Sequence, residues 1–197
     1  MIGNNLFHYL KTRISIDKPH TQTSIAEQTL IQKYSFSKKS AVEIGVFEGV
    51  NTCIIAESLL PNGCLYAVDP FIPGRLGFSY IKLISHKYIK KRKLNSKIIW
   101  IEEMSDVAAD LIPNNIDFIF IDGDHSYEGV KKDFELYAPK LSKDGILAFH
   151  DARIFVNGWT KEDWGPVRLL NEVIYPSNQW KVVDEVDSLV LFQKNML

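Results

Sequence analysis

Short apolar runs alternate with segments of helical period along the whole chain, and no internal repeat or low-complexity linker interrupts them. Residues 6–10 and 23–33 read as N-terminal helices. Residues 41–45 form a short apolar strand running into a glycine turn, and 51–60 a helix stopped by Pro61-Asn62-Gly63. A second strand covers 64–69. Residues 79–93 form a helix on which Ile81, Ile84 and Tyr88 share one face. A third strand spans 97–101. Ser105 and Asp106 then cap a short helix ending near residue 111, where Pro113-Asn114-Asn115 breaks the chain. Residues 116–121 are almost all apolar, as a strand buried on both faces must be. A helix over 128–138, a fifth strand over 145–149 and a helix opened by Gly165-Pro166 and reaching about residue 173 follow. Residues 180–183 and 188–192 read as a closing antiparallel pair, because the connection between them is too short for a crossover.

Five strands alternating with helices predict an α/β fold with a parallel sheet covered on both faces, made mixed by the terminal hairpin. In such sheets ligands bind beyond the carboxyl ends of the strands, near the point where strand order reverses. The chemistry is therefore expected after each strand: at residues 45–49, at Asp69-Pro70, at 103–105, at 122–125, and at His150-Asp151. The length of 197 residues suits a single domain, with 1–35 as a helical extension and 36–197 as the core.

Composition narrows the classes. Hydrophobic residues make up 46% and charged residues 24%, which excludes a disordered chain, and a net charge of -1 gives no overall pull on nucleic acid or membrane. The two cysteines, Cys53 and Cys64, are too few for a disulfide framework or a four-cysteine zinc site and read as buried free thiols. The first 16 residues lack the apolar core of a secretory signal and no run is long enough to span a bilayer, so a cytoplasmic location is expected. Charge is nonetheless uneven. Residues 71–101 contain no acid but hold Arg75, Lys82, Lys87, Lys90, Lys91, Arg92, Lys93 and Lys97. Such a run reads as a charged outer face, or more sharply as a patch that guides an anionic acceptor.

Three constellations carry chemistry. In Glu43-Ile44-Gly45-Val46-Phe47-Glu48-Gly49 the two glycines allow a tight turn and close approach to a ligand, and Asp69 follows Gly49 by 20 residues, the spacing at which an acid reaches a ribose diol. A dinucleotide or S-adenosylmethionine fits this pattern. Phe47 stands where a pyrophosphate site needs a second glycine, and Glu43 and Glu48 would repel phosphate but favour a cationic sulfonium and ammonium, so S-adenosylmethionine is the better match. The second constellation, Asp122-Gly123-Asp124-His125-Ser126-Tyr127-Glu128, puts two acids and a histidine directly after a buried strand. Unpaired buried carboxylates are costly, so a cation, a metal or a substrate proton is the expected partner, although Asp124 or Ser126 would also serve as a helix cap. The third is His150-Asp151. If its strand neighbours that of Asp122, the carboxylates converge, with the imidazole shifting preference from Mg towards a transition metal such as Mn.

These residues, with Val68-Asp69-Pro70 and Leu147-Ala148-Phe149-His150-Asp151, resemble the class I S-adenosylmethionine-dependent methyltransferases, and more narrowly the bacterial small-molecule O-methyltransferases related to the macrocin, aminocoumarin and catechol enzymes. The resemblance covers about residues 22–194. It implies a Rossmann-like three-layer sandwich whose seven-stranded, mostly parallel sheet has its last strand antiparallel. It implies contacts from Glu43, Gly45 and Gly49 to the methionine part of the cofactor, from Asp69 to the ribose and from Ser105 towards the adenine, and Phe47 and Asp122 are expected among the cofactor-binding residues as well. Metal-dependent members hold Mg at the positions of Asp122, His150 and Asp151, with Asp-Asp or Asp-Asn where this chain has His-Asp. Their general base falls two or three residues after the first metal Asp, which matches Asp124 or His125.

The expected reaction is methyl transfer from S-adenosylmethionine to a hydroxyl of a small molecule, with a divalent metal lowering the hydroxyl's pKa and His125 or Asp124 taking its proton. Two other readings compete. The chain could bind the cofactor without turnover, as a sensor or scaffold. It could act on RNA, which the basic stretch and Trp159 and Trp164 favour, but the net charge and the missing Asn/Asp-Pro-Pro-Tyr-like motif oppose. The expected partner is therefore a hydroxylated small molecule, with no nucleic acid and no membrane; the sequence leaves a homodimer open.

Overall fold

The computed structural model describes residues 2–195, with side chains from residue 6 onward. The expected domain limits at residues 1 and 197 fall outside the described residues. The elements in chain order are α1 (Ile2–Arg13), α2 (Ile25–Ser35), β1 (Ser40–Ile44), α3 (Val50–Ser58), β2 (Cys64–Val68), α4 (Tyr80–Lys91), β3 (Ile98–Ile101), α5 (Ser105–Ala108), β4 (Ile116–Ile121), α6 (Tyr127–Tyr137), β5 (Leu141–Phe149), α7 (Gly165–Leu169), β6 (Trp180–Val186) and β7 (Leu189–Lys194). The strands form one seven-stranded sheet in the order β3-β2-β1-β4-β5-β7-β6. β1 to β5 are parallel, and β7 runs antiparallel to both β5 and β6.

Strand alternation builds the three layers. Val42, Ile44, Ile119, Ile121, Leu147 and Phe149 face one helical layer, where Val130 and Tyr137 of α6 and Leu169 of α7 pack. Ala41, Leu65, Ala67, Phe118, Phe120 and Ala148 face the other, with Ile31 of α2, Ile55 of α3 and Ile89 of α4. Both faces are buried, which is why the strands read as continuous apolar runs.

Three local expectations change. β5 begins at Leu141 rather than at Gly145, because the polar run Ser142-Lys143-Asp144 stays extended across a register shift in the pairing with β4. α7 gives way to a π-helical turn over Leu170–Ile174. α5 has Met104 at its N-cap with no side-chain cap; Ser105 is its first residue, and Asp106 pairs with Lys132 at 2.6 Å instead. The two cysteines are free, and burial pushes the Cys53 thiol up to about 12, so it stays protonated.

Half of the basic stretch, four of its eight bases, is spent on packing. Arg92 makes a two-pronged pair with Glu57 at 2.7 Å, and Lys97 donates to the Ala56 and Leu59 carbonyls at the end of α3. Lys87 donates to the carbonyls of Thr12 and Arg13 at the end of α1, and Lys82 pairs with Glu102. These bases tie α1, α3 and α4 together rather than forming a uniformly free patch. Among the described residues, no helix is long and apolar enough to cross a membrane.

Candidate active site

The parallel ladder runs one residue past each strand. The Gly45 amide donates to the Val68 carbonyl, that of Asp69 to Ile101, that of Asp122 to Ile44 and that of His150 to Ile121, all at 2.9–3.1 Å. Gly45, Asp69, Asp122 and His150 therefore lie in one row along the carboxyl edge. Strand order reverses between β1 and β4, and the loops after them open a cavity of about 360 Å³ there. Gly45 is required at this seam: φ is +87°, and a Cβ would overlap the Asp122 carbonyl.

Gly45, Val46, Phe47, Asp69, Ser105, Asp122, Asp124 and His125 all line this cavity. Gly49 instead caps α3 in the left-handed conformation. The Asp69 carboxylate accepts from the amides of Val46, Phe47 and Phe71 at 2.9, 3.3 and 2.7 Å, so it braces the glycine turn as well as facing the cavity. Glu43 does not line the cavity. It shares its strand face with Ala41 and lies fully buried beside Thr52 of α3, with neither carboxylate oxygen making a well-formed hydrogen bond. Burial, assisted by the charges of Asp122 and Asp69, pushes its pKa well above the usual carboxylate range. Glu48 is also diverted: its buried carboxylate accepts from His8 Nε2 at 2.9 Å and from the His20 amide. That fixes the segment after α1, whose His20, Thr21 and Gln22 close one side of the cavity.

Across the seam, four side chains meet. His150 Nδ1 is 3.0 Å from Asp122 Oδ1 and 3.6 Å from Asp151 Oδ1. His125 Nε2 is 3.0 Å from Asp151 Oδ2 and 3.7 Å from Asp122 Oδ1. Trp159 Nε1 donates to Asp151 Oδ1 at 2.6 Å. α7 starts hard against this loop: the Gly165 amide donates to the His125 carbonyl at 3.2 Å, and a Cβ on Gly165 would overlap that carbonyl. A second concavity beside the first is lined by Gln22, Asp151, Trp159 and Trp164.

The electrostatics follow from these neighbours. The contact with Asp151 raises the His125 pKa above its ordinary value against the opposing effect of burial. Burial alone would lower His150, but Asp122, Glu27 and Asp151 outweigh it and bring the imidazole up to about 11. Burial raises Asp133, on α6 against the same cavity, to about 6. Asp124 is committed to structure: it accepts from the Ser126 amide at 2.8 Å and the Ser126 hydroxyl at 2.9 Å, while Ser126 caps α6. Both residues serve the helix start, and of the two base candidates His125 is the one that touches the Asp122–Asp151 cluster.

Sequence reasoning missed Glu27, Asp133 and the Glu48 contacts. Asp133 lies on an ordinary amphipathic helix and carries no local signal. Glu27 does: Ser24-Ile25-Ala26-Glu27 spells a capping box, and the structure forms it, with Glu27 donating its amide to Ser24 Oγ at 3.1 Å and its carboxylate accepting the Ser24 amide at 2.7 Å.

The sequence profile of the family described as "Methyltransferase domain" matches residues 42–152, more than half of the chain, and the chain belongs to that family. An uncharacterized protein of Acanthamoeba polyphaga mimivirus is 34% identical over 118 residues, 56% of this chain and 50% of that protein. An uncharacterized protein of Sinorhizobium fredii is 29% identical over 82 residues, covering 41% of this chain. The chain thus spans about half the length of the first relative and 8% of the second. Among solved structures, the O-methyltransferase TomG from Streptomyces achromogenes, in complex with SAM, superposes with a TM-score of 0.68 at 15% identity over 98% of this chain and 90% of its own. An O-methyltransferase from Bacillus cereus in complex with SAH gives 0.66 at 17% identity over 97% and 91%. An rRNA methylase from Streptococcus thermophilus gives 0.63 at 11% identity over 90% and 100%. At these identities the likeness is one of fold.

Proposed function

We propose that this chain is a single-domain methyltransferase that binds S-adenosylmethionine in the cavity between the β1 and β4 loops and methylates a hydroxyl of a small molecule. One observation carries the reading. A donor-sized cavity at the switch point opens next to His125, Asp122 and Asp151, and these in turn border a slot walled by Trp159 and Trp164. The cofactor supplies, when bound, a methyl group on a sulfonium that is already electrophilic. What the protein must add is alignment, exclusion of water and a place for one proton. With the donor bound, the tryptophan slot would hold the acceptor hydroxyl against the methyl group, and His125 would take the hydroxyl proton as the methyl passes to oxygen and the thioether is left behind. Asp151, fixed by Trp159, orients His125 from behind.

A divalent metal fits the same cluster. His125 Nε2 reaches into the cluster, 3.0 Å from Asp151 Oδ2 and 3.7 Å from Asp122 Oδ1. Donor atoms of Asp122, His125 and His150 lie within 4.8 Å of one another. Asp122, His150 and Asp151 would hold the ion and leave His125 facing the acceptor; the imidazole nitrogen among the carboxylates favours Mn or another transition metal over Mg. Bound there, the ion would supply Lewis acidity that lowers the acceptor's pKa.

An RNA acceptor has less support, since four of the eight bases that suggested it, Lys82, Lys87, Arg92 and Lys97, are engaged within the fold. The test is S-adenosylhomocysteine release, followed by mass spectrometry, from S-adenosylmethionine with a panel of hydroxylated acceptors, with and without chelator and Mn2+ add-back. Failure to bind S-adenosylhomocysteine in calorimetry would overturn the cofactor assignment. Full turnover in excess chelator would remove the metal from it.

A further inference from the structure

Glu27 has no exposed surface, yet it is a carboxylate surrounded by donors that come from three separate parts of the chain. One oxygen, Oε1, accepts from the Ser188 amide at 2.9 Å and the Ser188 hydroxyl at 2.7 Å, at the start of β7. The other, Oε2, takes the Ser24 amide at 2.7 Å and faces His150 Nε2 at 3.4 Å. The second ring nitrogen of His150, Nδ1, is thereby aimed at Asp122. Capping α2 requires only the Ser24 contact. Burying a charged carboxylate for a cap alone would be costly, since caps at helix ends ordinarily sit in water.

We propose that Glu27 is a positioning residue of the active site. From the N-terminal helix it holds His150 by Nε2, so that Nδ1 faces Asp122 as a ligand for the divalent ion. A carboxylate on the far nitrogen of a metal-binding imidazole fixes the ring and makes it a better donor. Glu27 and Ser188 both lie outside residues 42–152, the part of the chain that matches the family profile. The helices before the core therefore supply part of the site, and a core cut away from residues 1–35 would carry His150 without its orienting partner. This inference rests on the metal reading of the site given above.

The test uses Mn2+ alone, with the free ion followed by electron paramagnetic resonance. The full chain carries His8→Ala, which dismantles the second group able to take an ion, His8, His20 and Glu48, without changing a residue that lines the cofactor cavity. Glu27→Gln is expected to weaken Mn2+ binding by roughly 10–100-fold, with S-adenosylhomocysteine affinity in calorimetry within about threefold, since Glu27 does not line the cofactor cavity. Ser24→Ala removes the cap hydroxyl but keeps the carboxylate. It should lower the melting temperature and leave Mn2+ affinity within about twofold. If Glu27→Gln does not fold, Glu27→Asp takes its place: it keeps the charge but stops short of His150, and Mn2+ binding should weaken several-fold. Mn2+ affinity unchanged in the folded Glu27 variant, or lowered as much by Ser24→Ala, would overturn the proposal. So would a parent chain that binds S-adenosylhomocysteine but no Mn2+. A parent that fails to bind S-adenosylhomocysteine would instead overturn the cofactor reading.

Discussion

His125 Nε2 stands 3.0 Å from Asp151 Oδ2, and the other oxygen of that buried carboxylate is pinned by the Trp159 indole at 2.6 Å. The carboxylate cannot turn away, so its field acts on the imidazole continuously. This contact is the largest cause of the raised His125 pKa. In Asp151→Asn the value should fall back towards 6.5, followed by NMR titration of the His125 ring; an unmoved midpoint would assign the shift to Asp122. The raised pKa also links the pair to stability. Its contribution is complete below the unfolded value of about 6.5 and fades as pH rises through the folded one. The stability gap between Asp151→Asn and the native chain should therefore be widest below about pH 6.5 and narrow as pH rises through the folded His125 value.

Gly45 should not tolerate a side chain. Gly45→Ala combines a left-handed φ with overlap on the Asp122 carbonyl, and neither strand can retreat because the ladder continues through both residues. A loss of at least about 2 kcal/mol in urea unfolding is expected, with S-adenosylhomocysteine binding abolished or nearly so.

Asp69 holds three backbone amides of the turns that edge the cavity. Asp69→Ala should weaken S-adenosylhomocysteine binding by roughly 1–3 kcal/mol in calorimetry, since charged hydrogen bonds and the loop they shape are lost together. Asp69→Asn keeps an acceptor for the amides and should fall between the two. Equal loss in both variants would point to charge rather than bracing.

Asp133 is a buried acid whose pKa is raised to about 6 by its desolvation. Its protonated form suits the fold, so its favourable contribution is present below the unfolded value of 3.8 and is lost as pH rises through about 6. Asp133→Asn imitates the protonated acid. It should stabilise the chain by about 3 kcal/mol above pH 7 and make little difference below pH 4, as read from denaturant unfolding across that range.

The sheet was legible because its signals are local. Buried strands such as residues 116–121 must be apolar throughout, and the residue after each one has to leave the ladder at the carboxyl edge, which is why Gly45, Asp69, Asp122 and His150 could be picked out as a group. The elements that were misjudged have weaker local marks. The polar run at 142–144 looks like a turn yet remains extended, because the register shift opposite β4 accommodates it.

What the sequence by itself determined was the order of elements and the set of chemical groups brought to one edge, since strand alternation and helix period are properties of neighbours along the chain. What only the tertiary structure decided was how each group is paired. Glu48, an acid of the glycine turn, is taken by His8 and His20; Asp124 is spent on the start of α6; Glu43 is sealed under α3, its pKa pushed up by burial. Glu27 reaches Ser188, 161 residues away, and His150, 123 residues away. The partner of a buried carboxylate is fixed by which strands and helices pack around it, and desolvation makes that pairing obligatory only once the core has closed.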